Sequence, residues 1–285
     1  MGYSARYHAA SLAAVFLALG VGLLLGAGFG DDVITGTAEN LQQSLESDLD
    51  DAQARIAALE EDLAREGDFG EAVYPALAAD TLVGRDLAVV AFGGRSDELR
   101  EDIEEALRVT GAQVRQLAVV REPPDVAALA ELVADDPRRS QRERAELTAR
   151  RAGASLVDGG DFFGRARESL LSSFSGTIEP MDGVIVIRQR PELGGQDEIA
   201  TERMEQSFIG ALEDAGVPVI GVERTDADPS SIAFFDSLGL TTVDHLDLRA
   251  GKVALVYALR GAQGNFGIGE EADELLPAVL RRPAP

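Results

Sequence analysis

The alternation of apolar and polar positions divides the chain into three stretches. From Ala9 to Gly30 no charged residue occurs. At about 1.5 Å per residue, a helix over that run reaches roughly 33 Å, enough to cross a hydrocarbon core of about 30 Å. A secretory signal has a shorter apolar core, about 7–15 residues, and ends in an A-x-A-like site. Here only the small residues Gly26, Ala27 and Gly28 resemble such a site. The run predicts an uncleaved transmembrane anchor over residues 1–32, with a cleaved signal as the alternative. Arg6 precedes it, and Asp31 and Asp32 follow at once. Positive charge stays inside, so the amino terminus is expected in the cytoplasm and the rest of the chain outside. Ala18, Gly22, Gly26 and Gly30 recur at every fourth position, a spacing that lets two such helices approach closely and that membrane helices also show without pairing.

The second stretch, residues 33–66, changes period. Leu45, Leu49, Ala52, Ile56, Leu59 and Leu63 alternate spacings of four and three, which is the seam of a coiled coil. Glu46, Asp48, Asp50, Asp51, Arg55, Glu60 and Glu61 flank it. A seam of about three heptads is marginal for an isolated pair in water. Neighbouring anchors would raise the effective concentration of two copies. The pattern predicts a stalk that associates with itself or with a partner helix, and its acidic flanks favour a partner-assisted pair. The alternative is a single amphipathic helix lying on the globular domain.

From residue 67 onward, short apolar runs alternate with amphipathic helices. RDLAVVAFGG, VRQLAVV, DGVIVIRQR, VPVIGVER and TTVDHL read as strands. SDELREDIEEALRVTGA follows the first of them as a helix with Ser96 as its N-cap and Gly111 ending it. DVAALAELVAD, SQRERAELTARRAG, FFGRARESLLSSF, DEIATERMEQSFIGALEDAG and LRAGKVALVYALRG read as further helices. The strand runs are continuous rather than alternating, as in a parallel sheet covered on both faces. The expected fold of residues 67–285 is an exported α/β domain, Rossmann-like in outline, with a mostly parallel sheet.

Composition narrows the function. The chain has no cysteine, hence no disulfide and no thiolate site, and an exported domain must hold by its core alone. Hydrophobic residues make up 45%, which supplies that core. The net charge of −24 comes with no basic run, which argues against nucleic acid and against peripheral binding to anionic lipid. Lys252 is the only lysine.

Candidate chemistry is sparse. The first strand-to-helix turn, AFGGRSDELRED, is neither G-x-G-x-x-G nor a Walker loop. Asp97 and Glu98 in the first helical turn suit the helix dipole and would repel a phosphate, so an ordinary capped turn is expected. Histidine is the usual general base and metal ligand, and there are two, His8 beside the anchor and His245. Asp244, His245 and Asp247 are weak candidates for a divalent metal. The competing reading has Asp244 ending a strand and Asp247 capping the next helix, with the two aspartates salt-linked to Arg249 and Lys252. No G-x-S-x-G elbow or H-E-x-x-H occurs, and no enzyme activity is expected. The loop GAQGNFGIGEEADELLP is either a mobile binding loop or a connection.

The start HAASLAAVFLALGVGLLLGAGF, followed at once by the coiled-coil run, resembles the mycobacterial copper transport protein B (MctB) family. So does the ending SLGLTTVDHLDLRAGKVALVYALRGAQGNFGIGEEADELLP, with its V-D-x-x-D, G-K-x-A-L-V and N-F-G-x-G elements. The resemblance covers essentially the whole chain. It implies an envelope protein that limits copper accumulation, and some members of the family are linked to cell separation at the septum. Copper(I) favours thiolate or thioether and copper(II) imidazole. This chain offers no cysteine, and its methionines, Met1, Met181 and Met204, are scattered. No residue is therefore carried over as a copper ligand. A lone membrane helix has no lumen, and the sequence lacks the many alternating strands of an outer-membrane barrel. The expectation is a role in copper homeostasis exercised through other envelope proteins.

Overall fold

The computed structural model describes residues 5–94, 96–133, 138–189 and 193–280, with the backbone alone at 5–9 and 26–43. Met1 lies outside the described residues, as do the side chains of Arg6, His8, Asp31 and Asp32. The chain separates into two compact units, Met1–Glu66 and Gly67–Pro285.

Helix α1 runs from Ala5 to Ala78 and holds both the apolar run and the heptad seam. Among the described residues, no helix is long and apolar enough to cross a membrane. Leu45, Leu49, Ile56, Leu59 and Leu63 are all exposed. The helix does not stop at Gly67, where the sequence pattern ends; it continues through Gly70 and Pro75. Pro75, in the last turn, has no N–H to donate to Glu71 O, and the helix ends within a turn of it. The Ala79 amide donates to Pro75 O at 2.9 Å, and Asp80 then turns the chain with φ 56°. Burial fixes this end within the second unit. The Tyr74 hydroxyl donates to Ala106 O, and its ring is 6% exposed.

The second unit is a seven-stranded sheet in the order β3-β2-β1-β4-β5-β6-β7. The strands are β1 (Asp86–Phe92), β2 (Gln113–Val120), β3 (Leu171–Gly176), β4 (Gly183–Arg188), β5 (Val219–Val222), β6 (Thr241–Val243) and β7 (Asn265–Phe266). Every neighbouring pair is parallel except β2 with β3. Helices cover both faces. Leu87, Val89 and Ala91 of β1 pack with α2 (Asp97–Leu107), α8 (Arg249–Leu259) and the end of α1. Ala88, Val90 and Phe92 point the other way, into a core built with α3 (Val126–Glu131), α4 (Gln141–Asp158), α5 (Asp161–Leu170), α6 (Gln196–Glu213) and α7 (Ile232–Ser237). Both faces of β4 are buried from Gly183 to Ile187, which is why its sequence is apolar throughout. Each such side chain contributes about 1.5–3 kcal/mol on burial.

Capping marks several helix starts. The Leu99 amide donates to Ser96 Oγ at 3.2 Å. Ser140 and Glu143 cap α4 reciprocally, the Ser140 amide donating to Glu143 Oε2 at 2.7 Å and the Glu143 amide to Ser140 Oγ at 3.3 Å.

The segment FFGRARESLLSSF departs from the sequence expectation. Its helix stops at Leu170, and Leu171–Gly176 forms the antiparallel edge strand β3. No glycine or proline separates the two, and Leu171 and Phe174 continue the helical spacing, so the switch has no local signal. Arg121 helps fix it: its amide donates to Leu170 O at 2.9 Å and its guanidinium to Leu171 O at 3.1 Å.

Candidate functional site

In open α/β sheets, ligands bind beyond the carboxyl ends of the strands, where successive connections leave in opposite directions. Here β1 has β2 on one side and β4 on the other, so that point lies between β1 and β4. The turn after β1 is held against the end of β4. Gly93 has φ 77°, and a Cβ there would lie 1.5 Å from Gln189 O. Only glycine permits that approach. Beside it, a crevice of about 420 Å³ opens between the start of α2 and the ends of β4 and β5. Ser96, Leu99, Gln189, Glu223 and Arg224 are among its lining residues.

The charge around this crevice is unevenly paired. Glu98, Glu223, Asp226 and Asp228 line it together with Arg188 and Arg224. Arg188 is bound on both sides of its fork to Glu205, with Nε at 3.1 Å from each carboxylate oxygen and Nη2 at 2.9 Å from Oε2. Its guanidinium also stacks 4.0 Å over Phe234. Arg224 pairs with Asp102, and with Asp226 at 3.3 Å. Among the described residues, the two arginines of this crevice are thus committed to carboxylates, which leaves little to attract a phosphate. The Ser96 cap and the acidic first turn of α2 act in the same direction.

Three glutamates at this edge are held away from the usual carboxylate range. Glu205 is fully buried, and burial raises its pKa against the opposing pull of Arg188. Glu122, just beyond β2, is pushed up to about 8, first by burial and then by the negative charge of Glu205. Both of its carboxyl oxygens are buried, beside the Glu205 carboxyl and the Gly93 amide. Burial also raises Glu223, although Ser230 Oγ donates to it at 2.8 Å and the Ser231 amide at 2.7 Å. Sequence reasoning did not single out Arg188, Glu122 or Glu205. The available signal was an arginine directly continuing the apolar run GVIVI, since a cation there must find a buried carboxylate.

The structure brings Asp244 and His245 together and sends Asp247 elsewhere. His245 is fully buried, with Nδ1 2.8 Å from Asp244 Oδ1 and Nε2 enclosed without a partner. Asp244 also accepts from the Ile268 amide at 3.0 Å and the Gly269 amide at 2.7 Å. A Cβ at Gly267 would fall 1.9 Å from Asp244 Oδ1. The glycines of NFGIG therefore let the backbone wrap the carboxylate, and the segment includes the short strand β7 paired with β6. Asp247 does not cap α8, whose N-cap is Leu248 with no side-chain bond. It accepts instead from the Thr225 amide at 2.8 Å and Thr225 Oγ1 at 3.1 Å, tying the turn after β6 to the turn after β5. Among the described residues, no group of three or more His, Cys, Asp or Glu side chains is placed to hold a metal ion.

Arg249 and Lys252 are salt-linked, but not to these aspartates. Arg249 pairs with Glu71 of α1 and, at 2.7 Å, with Glu105 of α2. Lys252 pairs with Glu105, and with Asp102 at 3.3 Å. Glu105 is held below its ordinary pKa, chiefly by the Lys252 hydrogen bond. The partners lie far along the chain because α8 packs on α2.

Two comparisons bear on this arrangement. The family described as "Copper transport outer membrane protein, MctB" matches residues 3–277. Proteins named "Copper transporter MctB" from Mycobacterium tuberculosis and Mycobacterium bovis are 26% identical, with 94% of this chain and 97% of each relative aligned.

Proposed function

Because the chain belongs to the MctB family, we propose that it is a membrane-anchored protein of the cell envelope that serves copper homeostasis by acting through partners rather than as a pore. The observation that carries the copper reading is the match of the family across nearly the whole chain. In this reading the run from Ala9 to Gly30 is a single-pass anchor with its amino terminus in the cytoplasm, and residues 67–285 lie outside. Copper is cargo, handled without a dedicated site in this chain. The donor chemistry supports that part. Met181 and Met204 are 4% and 3% exposed in the apolar core, and His245 is enclosed beside Asp244. Soft ligands clustered at a surface are what a copper(I) site requires.

The test is cell-associated copper in a strain lacking the protein, grown under copper load. A several-fold rise, reversed by the full chain but not by one lacking residues 5–30, is the expected result. Unchanged copper would overturn the reading. Tight one-to-one copper binding by the purified full chain would overturn the indirect mechanism.

The exposed seam of α1 favours a second reading, an envelope scaffold coupling a cell-wall or cell-separation enzyme to the membrane. In that case deletion of residues 45–63 abolishes cell separation while copper stays unchanged.

A further inference from the structure

The most conspicuous apolar surface outside the initial apolar run lies on α1. Leu45, Ile56 and Leu63 are 59%, 56% and 74% exposed, and Leu49 and Leu59 extend the same stripe. A contiguous stripe of this kind marks an interaction surface. Its spacing places Leu49, Ile56 and Leu63 at the a positions of successive heptads and Leu45, Ala52 and Leu59 at d. The seam is part of a longer helix, so its backbone does not depend on isolated helix formation.

The residues beside the seam select both the partner and its direction. The e positions hold Glu46, Gln53 and Glu60, and the g positions Asp48, Arg55 and Asp62. In a parallel pair, each g position faces the e position of the following heptad on the other helix. Arg55 then meets Glu60 of the second copy, twice by symmetry. Asp48 meets Gln53, and Asp62 meets Gly67, so no like charges are opposed. Reversing one helix matches g with g and e with e. That places Asp48 against Asp62, Arg55 against Arg55, and Glu46 against Glu60, so every charged pair is repulsive. The remaining acids, Asp50, Asp51 and Glu61, fall at b, c and f and point away from the seam. The acidic flanks, which taken in bulk argue for a different partner, therefore do not oppose self-pairing.

We propose that residues 45–63 form a parallel, in-register two-stranded coiled coil with the same residues of a second copy of this chain. Ile56 at a with Leu59 at d supplies one heptad of the pattern that favours two strands, with Leu49 and Leu63 at the other a positions. Ala52 at d is the point of closest approach. The inference rests on the anchored reading only in that anchoring gives both helices the same direction.

The chain has no cysteine, so an introduced one reports alone. Leu49→Cys, Leu63→Cys and Ala54→Cys variants of the full chain are oxidised mildly in membranes and resolved without reductant. Leu49→Cys and Leu63→Cys face their own copies, whereas Ala54→Cys lies on the outer face. The two seam variants are expected to give covalent dimers about tenfold more abundantly than Ala54→Cys, since a disulfide needs Cα atoms within about 7 Å. Adding Glu60→Arg to Leu49→Cys lowers the yield, and adding Arg55→Glu as well restores it. Equal yields at all three positions would overturn the proposal. So would a cross-link between co-expressed Asp48→Cys and Asp62→Cys chains, which only reversed helices bring together, or adducts to another polypeptide in place of the dimer. The cross-link is read whether or not cell copper responds to the protein, so failure of the pairing and failure of the copper reading are separate results.

Discussion

Two regions of the second unit bury the same kinds of charged groups with opposite outcomes. Between α2 and α8, Lys252, Arg249 and Arg224 face Asp102 and Glu105, with Glu71 and Asp226 at the margin. Cations are plentiful there, and Glu105 is held ionised. At the carboxyl edge of the sheet, Arg188 alone serves Glu205 beside Glu122. There burial outweighs the cation, and both carboxyls are raised. What separates the regions is the ratio of cations to carboxylates, together with how much water each retains. Where cations run short, backbone amides substitute. Asp244 takes the Ile268 and Gly269 amides, and Glu223 takes that of Ser231.

The largest effect is expected in the well-paired region. Lys252→Ala removes the charge-assisted bonds to Asp102 and Glu105, each worth about 1.5–3 kcal/mol, while Arg224 and Arg249 still serve those carboxylates. The midpoint of urea unfolding of residues 67–285 measures it. A loss below about 1 kcal/mol would make this network no stronger than a surface one and end the contrast.

The next tests the edge, where backbone replaces cations. Gly267→Ala inserts a methyl 1.9 Å from Asp244 Oδ1, a carboxylate that His245 and the Ile268 and Gly269 amides hold in place. Overpacking of this kind costs about 1–3 kcal/mol, and the amides of Ile268 and Gly269 should gain hydrogen exchange as the loop lifts.

The pH dependence sharpens the comparison, because the two glutamates have opposite signs. Glu122 rises in the folded state from 4.5 to about 8. The folded protein therefore binds the extra proton across that window. This contribution is complete below pH 4.5 and is lost as pH climbs to about 8. Glu205 and Glu223 act in the same direction. Glu105 is lowered, so its contribution is present above 4.5 and is lost on acidification below it. Glu122→Gln should flatten the alkaline decline and leave the acid limb unchanged, and Glu105→Gln should do the reverse. Urea midpoints across pH decide it, and identical profiles for the two variants would remove the distinction.

The smallest effect is at Asp247. Asp247→Ala removes two hydrogen bonds to Thr225 in an exposed setting and should cost about 1 kcal/mol. A loss as large as that of Lys252→Ala would assign Asp247 a role beyond joining two turns.

The sheet core was readable from sequence because β1, β4 and β5 are buried on both faces and so are apolar throughout, apart from Asp86 and Arg188 at their ends. The cap at Ser96 was equally readable, being a local bond. β3 was hidden, since its apolar residues continue the period of α5 with no break between them. β7 is only Asn265–Phe266, too short to show a period. In the candidate site, the contact of Asp244 with its neighbour His245 could be anticipated. The departure of Asp247 could not, because it depends on where Thr225 lies in the fold. Arg249 and Lys252 make the same point more strongly. Proximity in sequence suggested Asp244 and Asp247, but their partner Glu105 lies 144 and 147 residues away. Charge pairing across helices is set by packing, and single-chain periodicity does not encode it.

The burial of Lys252 has a chemical consequence. It is the chain's only lysine and is 3% exposed. Apart from the amino terminus, the folded protein therefore shows almost no amine to acylating reagents, and its one cleavage point for a lysine-specific protease is closed. Both become available only when α8 parts from α2. The rate at which Lys252 is acylated or cut thus clocks the opening of that single helix pair, with no label introduced.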